Sequence, residues 1–188
     1  MVIRCDWAAT SSLMQDYHDH EWGKPTHNEK ELYELLVLES MQAGLSWSTV
    51  LDKRENFRTA FDQFDYQKIA HYDENKIAEL LANPQIIRNR LKIRAAVNNA
   101  QIFLKVQENY GSFAAYIWSF VEDKPIVNHW QTFSEVPATT DLSNQISKEL
   151  KKLGFKFVGP TIIYSFMQGI GMINDHLEDC SFKYETKL

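Results

Sequence analysis

Apolar residues in this chain recur at spacings of three and four and almost nowhere alternate with a period of two. Helices are therefore the elements in which its hydrophobic groups can be buried together. Chain breakers are scarce, with seven Gly and five Pro in 188 residues, and there is no low-complexity tract or internal repeat. The length suits one compact unit with a real core, so the expected architecture is all-α, a single helical domain over 1–188. No stretch approaches the ~20 apolar residues of a membrane span. The opening MVIRCDW has neither a basic segment followed by a long apolar run nor a cleavage site. A cytoplasmic protein with no membrane partner is expected.

The clearest helix starts at Asn28, whose side chain can cap it, with Glu31 at the capping-box position and Leu32, Leu35 and Leu36 along one face. The next position on that face is Glu39. A short break around Gly44 leads to a second helix capped by Ser46 and carrying Trp47, Val50 and Leu51, so a tight helix–helix turn is expected there. Further helices fit Asp73–Leu81, Pro84–Val106 with its proline at the start, and Ser112–Val121, which is apolar almost all round and so expected to be central. Residues 122–140 read as an irregular connection. A helix over Asp141–Leu153, the link GFKFVG and an apolar helix over Pro160–Ile170 then form a Gly-bounded helical hairpin, about 142–171 in all.

A formal net charge of −5 argues against broad charge-driven binding to nucleic acid, because phosphate affinity comes from Lys and Arg. Any DNA surface must be a local patch. Arg88, Arg90, Lys92 and Arg94 form one candidate, and Lys148, Lys151, Lys152 and Lys156 another; each is also what a solvated helix face looks like.

Three constellations can carry chemistry. The hairpin exposes backbone N–H groups between two helices, a ready phosphate site flanked by Lys152 and Lys156, or else it is an ordinary hairpin whose Phe155 and Phe157 pack in the core. Cys5 and His18 near one end, with His176 and Cys180 near the other, can make a closed four-ligand zinc shell, structural because no position stays open; residues four apart on a helix would aim His176 and Cys180 at one ion. The same four can equally be two small buried thiols and two unrelated histidines. Finally, Glu39 puts a carboxylate on a leucine-lined face, which is costly unless the group is functional or satisfied by a neighbour. Trp7, Tyr17, Trp22, Tyr33 and Trp47 cluster in the same part of the chain, as core residues or as flat walls for a base.

Taken together, RCDW at 4–7, YHDHEWG at 17–23, LESMQAGLSWSTVLDKRENF at 38–57, IIRNRLKI at 86–93, GFKFVGPTIIYSFMQ at 154–168 and INDHLEDC at 173–180 resemble the type I DNA-3-methyladenine glycosylases, part of the helix–hairpin–helix group of repair enzymes. The resemblance implies a structural zinc, one per chain, on Cys5, His18, His176 and Cys180. It implies a base pocket in which Glu39 is the catalytic carboxylate and Tyr17 a hydrogen-bonding partner, with Trp47 stacking and Trp7 and Trp22 nearby. Gln42 and Leu45 correspond to residues that enter the duplex, and Lys152, Lys156 and Gly159 belong to the DNA-binding hairpin. Most of the wider group uses an Asp beyond the hairpin. Asp175 lies in that neighbourhood, but the type I family is regarded as lacking that aspartate, so Asp175 is expected to orient the metal shell or cap the last helix. The loop Asn128–Trp130 and the tail after Cys180 match nothing specific.

The implied activity is hydrolytic removal of 3-methyladenine from alkylated double-stranded DNA by a monomer, leaving an abasic site and the free base. No lysine stands in a motif for a Schiff-base nucleophile, so strand cleavage is not expected. The competing expectation is a zinc-stapled helical DNA-binding module without catalysis, which would keep the hairpin but have no use for Glu39 beside Tyr17 and Trp47.

Overall fold

The protein is described by a computed structural model over residues 2–184. It is an all-α domain, and the one extended pairing among the described residues joins β1 (Ile126–Val127) in parallel to β2 (Ile173–Asn174). Most helices start at a side-chain cap. Ser11 opens α1 (Ser12–His20) by accepting from the Met14 N–H, and Asn28 opens α2 (Glu29–Gln42) by accepting from Lys30 and Glu31. The expected capping box at Glu31 closes through a third residue: the Asn28 N–H donates to Thr26 Oγ1, whose hydroxyl donates to the Glu31 carboxylate. Ser46 caps α3 (Trp47–Asp52), which is followed by α4 (Arg54–Ala60), and Asp65 and Asp73 cap α5 (Tyr66–Ile69) and α6 (Glu74–Ala82).

Two expectations need correction. The long helix α7 (Arg90–Tyr110) does not begin at Pro84. The Asn83 side chain instead accepts from the Gln85 N–H in a turn, and Asn89 supplies the actual cap by accepting from Lys92. The apolar segment at 112–121 is buried as expected but its helix is shorter: α8 (Phe113–Trp118), buried at every position but Ala115, gives way to a 3₁₀ turn and a left-handed Glu122 at φ 52°. The centre is α2, buried without interruption from Leu32 to Met41. It packs against α10, α3, α7 and α8, and so its polar residues Glu34, Glu39 and Ser40 lie in the interior. Glu34 is matched by Arg54 and Arg58, at 2.6 and 2.8 Å. Glu39 is not matched.

The hairpin forms as expected from α9 (Asp141–Leu153) and α10 (Pro160–Gly169). Gly154, left-handed at φ 102°, ends α9, and the Phe155 N–H reaches back to Leu150 O, which lets the buried Phe155 close the turn. None of the described helices is long and apolar enough to cross a membrane.

Candidate active site

Trp7, Tyr17, Trp22, Glu39 and Trp47, from five different segments, line one cavity of about 220 Å³. A 3₁₀ turn at Asp6–Thr10 carries Trp7, α1 carries Tyr17, α2 carries Glu39, and Trp47 is the first residue of α3. The rings brace one another, with Trp7 edge-on to Trp22 at 4.9 Å and Tyr17 tilted against Trp47 at 5.2 Å. The floor is α10, which can approach only because residue 169 is glycine: a Cβ there would stand 3.0 Å from the Tyr17 hydroxyl and 3.8 Å from Glu39 Oε1.

Three buried side-chain polar atoms have no hydrogen-bond partner among the described residues: Trp7 Nε1, Glu39 Oε2 and Trp47 Nε1. All three belong to the walls of this cavity. Native interiors rarely leave such groups unpaired, because each costs about 1–3 kcal/mol. Two indole donors and one carboxyl acceptor around a flat-walled space suit a flat ligand with ring acceptors and an amine. Burial alone pushes the Glu39 carboxyl up to about 8, and burial, then the nearby Glu39, keeps Tyr17 a phenol. Burial thus favours the neutral acid form of Glu39 over the carboxylate.

Gln42 ends α2 and also faces the cavity, while Leu45 sits 42% exposed on the turn beyond it. Of the first basic patch, Arg88 and Arg90 are exposed, but Arg94 pairs with Glu74 at 2.6 Å. Lys92 is buried, its ammonium donating to Met41 O and Ala43 O at 2.9 and 2.6 Å, the last carbonyls of α2. The second patch is a groove on the hairpin lined by Lys148, Lys151 and Lys152 beside Pro160. Lys152 meets Glu149 in an exposed pair, and the Lys156 side chain is exposed. The N–H groups of Phe157, Val158 and Gly159 make no hydrogen bond within the described residues, and a Cβ on Gly159 would meet nothing within 4 Å. The hairpin thus leaves these donors without a partner, beside open space at Gly159.

Cys5, His18, His176 and Cys180, all buried, bring their four donor atoms within 4.8 Å of one another. His18 Nε2 and His176 Nδ1 are 3.2 Å apart, and the sulfur–nitrogen separations include 3.4, 3.6 and 3.9 Å. Tetrahedral zinc, with bonds of about 2.3 Å to sulfur and 2.0 Å to nitrogen, sets neighbouring donors roughly 3.3–3.8 Å apart, so the set fits. The far nitrogens are oriented as metal-bound imidazoles require: His18 Nδ1 donates to Asp19 at 2.8 Å and His176 Nε2 to Trp22 O at 2.9 Å. Arg4 holds Asp19 in turn through Nε and Nη2. His176 and Cys180 are not on a helix, however. A turn at Glu178–Asp179 brings Cys180 back, with its N–H on Leu177 O.

Asp175, though adjacent in the chain to His176, makes no hydrogen bond to the four ligands and caps no helix among the described residues. Fully buried, it accepts four hydrogen bonds, from Asn128 Nδ2 and Trp130 Nε1 on one oxygen and from the Tyr164 hydroxyl and Gln168 Nε2 on the other, at 2.5–2.8 Å. The loop with no assigned role thereby becomes a strap fastened to α10, and beyond it Phe133 reaches the cavity, as do Met14, Ser165 and Gln168. Ser165 and Gln168 lie three apart within a motif already singled out, which is the signal that could have found them; Phe133, in irregular chain, gave none. In the unassigned tail, Lys183 is buried and donates to Asn128 O and His176 O.

The methyladenine glycosylase family model matches residues 7–184. The chain is 48% identical over 177 residues to DNA-3-methyladenine glycosylase 1 of Escherichia coli (strain K12), covering 94% of this chain and 95% of that one. It is 47% identical to the DNA-3-methyladenine glycosylase of Haemophilus influenzae, covering 97% and 99%. Its fold superposes with a TM-score of 0.93 on the solved structure of 3-methyladenine DNA glycosylase I from Staphylococcus aureus, at 39% identity and 98% coverage of both chains. With a family match over nearly its whole length and relatives this close, the chain belongs to the methyladenine glycosylase family.

Proposed function

We propose that this protein excises 3-methyladenine from alkylated double-stranded DNA by hydrolysis, leaving an abasic site. The observation that carries the reading is the set of three unpaired buried polar atoms, on Trp7, Glu39 and Trp47, around a single cavity of about 220 Å³. That volume is below the ~300 Å³ at the small end of drug-sized sites and suits one nucleobase. The named relatives are 3-methyladenine glycosylases. A DNA-binding module without catalysis would have no use for such a pocket.

Methylation at N3 gives the adenine in DNA a positive charge and makes it a good leaving group, so the protein's task is to extrude, recognise and hold it. Extrusion costs a few kcal/mol, less for a damaged base. Gln42 and Leu45 fill the space left in the duplex, and the hairpin's open N–H groups with Lys152, Lys156 and Gly159 hold the phosphates. Trp47 stacks on the cationic ring, and Tyr17, Trp7 and Trp22 complete the walls. Glu39 accepts from the exocyclic amine. Burial holds the Glu39 proton; the arriving cation favours the ionised carboxyl, so that proton passes to solvent as the correct base enters. A neutral adenine gives it no such help. The bond between C1′ and N9 breaks, its electron pair neutralises the ring, and water adds to C1′ and loses a proton.

Cys5, His18, His176 and Cys180 would hold a structural zinc, which supplies no chemistry to the reaction and ties the two ends of the chain together. The protein acts on DNA as a monomer. Incubation with methylated duplex and chromatography of the released base tests the reading: 3-methyladenine is expected, and release of no base would overturn it.

A further inference from the structure

Helix α7 touches both elements that meet DNA in the proposed reading, and it does so through buried polar side chains that bond to main chain. At its first turn Lys92 clasps Met41 O and Ala43 O, at 2.9 and 2.6 Å, where α2 ends and the turn carrying Gln42 and Leu45 begins. Seven residues on, and therefore on the same side of the helix, Asn99 exchanges two hydrogen bonds with Lys156 in the hairpin. Asn99 Nδ2 donates to Lys156 O at 2.9 Å, and the Lys156 N–H donates to Asn99 Oδ1 at 2.8 Å. Asn98 adds a bond to Gly154 O at 2.9 Å. Lys92 is 7% and Asn99 1% exposed. A direct tie between the two elements also exists, from Ser40 Oγ to Phe157 O, but it is longer at 3.2 Å and shared with Leu36 O.

Contacts to main chain fix a segment whatever its own side chains are. Seven helical residues span about 10 Å with little give. An extruded nucleotide reaches the cavity only if the wedge that replaces it and the grip on its strand keep a set separation, since small misplacements cost large factors in rate. We propose that Lys92 and Asn99 are positioning residues for base excision, and that α7 is the rigid spacer between the wedge turn and the phosphate-binding hairpin. The role rests on the glycosylase reading above. It also accounts for the IIRNRLKI motif, whose buried lysine is withdrawn from the basic surface.

The test is a double-mutant cycle. Single-turnover release of 3-methyladenine from methylated duplex is measured for Lys92→Met, Leu45→Ala and the pair, alongside binding of free 3-methyladenine read by quenching of the pocket tryptophans. Lys92→Met is expected to slow excision by about tenfold or more while free-base affinity stays within about twofold, and to add less than about twofold once Leu45 is removed. An equal loss in both backgrounds, or free-base binding that falls with excision, would overturn the spacer role, since a merely structural lysine acts that way. If Lys92→Met does not fold, Asn99→Leu against Lys156→Ala runs the same cycle from the other end. A wild-type protein that releases no 3-methyladenine overturns the glycosylase reading and the spacer with it. A wild type that excises and a Lys92→Met variant that equals it overturn the spacer alone.

Discussion

At the scale of single residues, two buried carboxyls divide the roles. Glu39 has a carboxyl oxygen without a partner, whereas both Asp175 oxygens are taken by four donors. Asp175 thus lies beyond the hairpin with both oxygens engaged by protein donors. Below pH 4.5 the Glu39 carboxyl is neutral in folded and unfolded chains alike; between there and about 8 it ionises only in the unfolded chain. Folding therefore loses stability steadily across that window, on the order of a few kcal/mol in all. Glu39→Gln has nothing to ionise, so thermal unfolding at pH 8 should show it more stable than wild type, with the advantage vanishing near pH 4. Its excision rate should fall about 100-fold or more, because the amide loses the charge that answers the cation. Asp175→Asn turns an amide donor toward groups that are themselves donors and should cost roughly 2–4 kcal/mol, visible as a lowered melting temperature. That Glu39 is an unusual carboxyl was legible from its place among leucines. That burial raises its pKa to about 8 was not, because burial on all sides of α2 is a tertiary fact.

At the scale of elements, caps and breakers were readable wherever the signal was local. Asn28, Ser46 and Asp73 open helices where their side chains say so, and Gly154 and Pro160 bound the hairpin. The start of α7 was misread because Asn83 and Pro84 make a turn as readily as a helix start, and α1 was missed because HDH has little helical propensity and forms where its histidine faces the metal set. The hairpin's part is testable by salt. Binding of abasic duplex should weaken with ionic strength, and Lys152→Ala or Lys156→Ala should each lower affinity and reduce the slope against log salt by about one, with the identity of the released base unchanged. Changed base selectivity with duplex affinity intact would remove the hairpin assignment.

At the scale of the whole molecule, the fold is closed by its ends. Cys5 comes from the first described residues and Cys180 from the last, the Ser181 N–H bonds Ile3 O, and Lys183 pins the strap that carries Trp130. The four-ligand set was present in the sequence but ambiguous there, since 171 residues separate Cys5 from His176, and only the family resemblance favoured metal over coincidence. Purified protein should contain about one zinc per chain, and Cys180→Ala or strong chelation should lower stability by on the order of several kcal/mol; a protein equally stable and active after the metal is stripped would exclude a structural ion. The strap bonded to Asp175, with Phe133 beyond it at the cavity, had no sequence signature, because irregular chain is positioned by what it meets. In the proposed function the cavity around Glu39 performs the excision. Single-turnover release of 3-methyladenine from methylated duplex, compared for wild type, Glu39→Gln and Asp175→Asn with folding and zinc content checked, tests it most directly. Glu39→Gln is expected to be folded, zinc-loaded and nearly inert, and Asp175→Asn to lose activity only in step with its stability. A folded, zinc-loaded Asp175→Asn that cannot excise, beside an active Glu39→Gln, would contradict that role for the cavity.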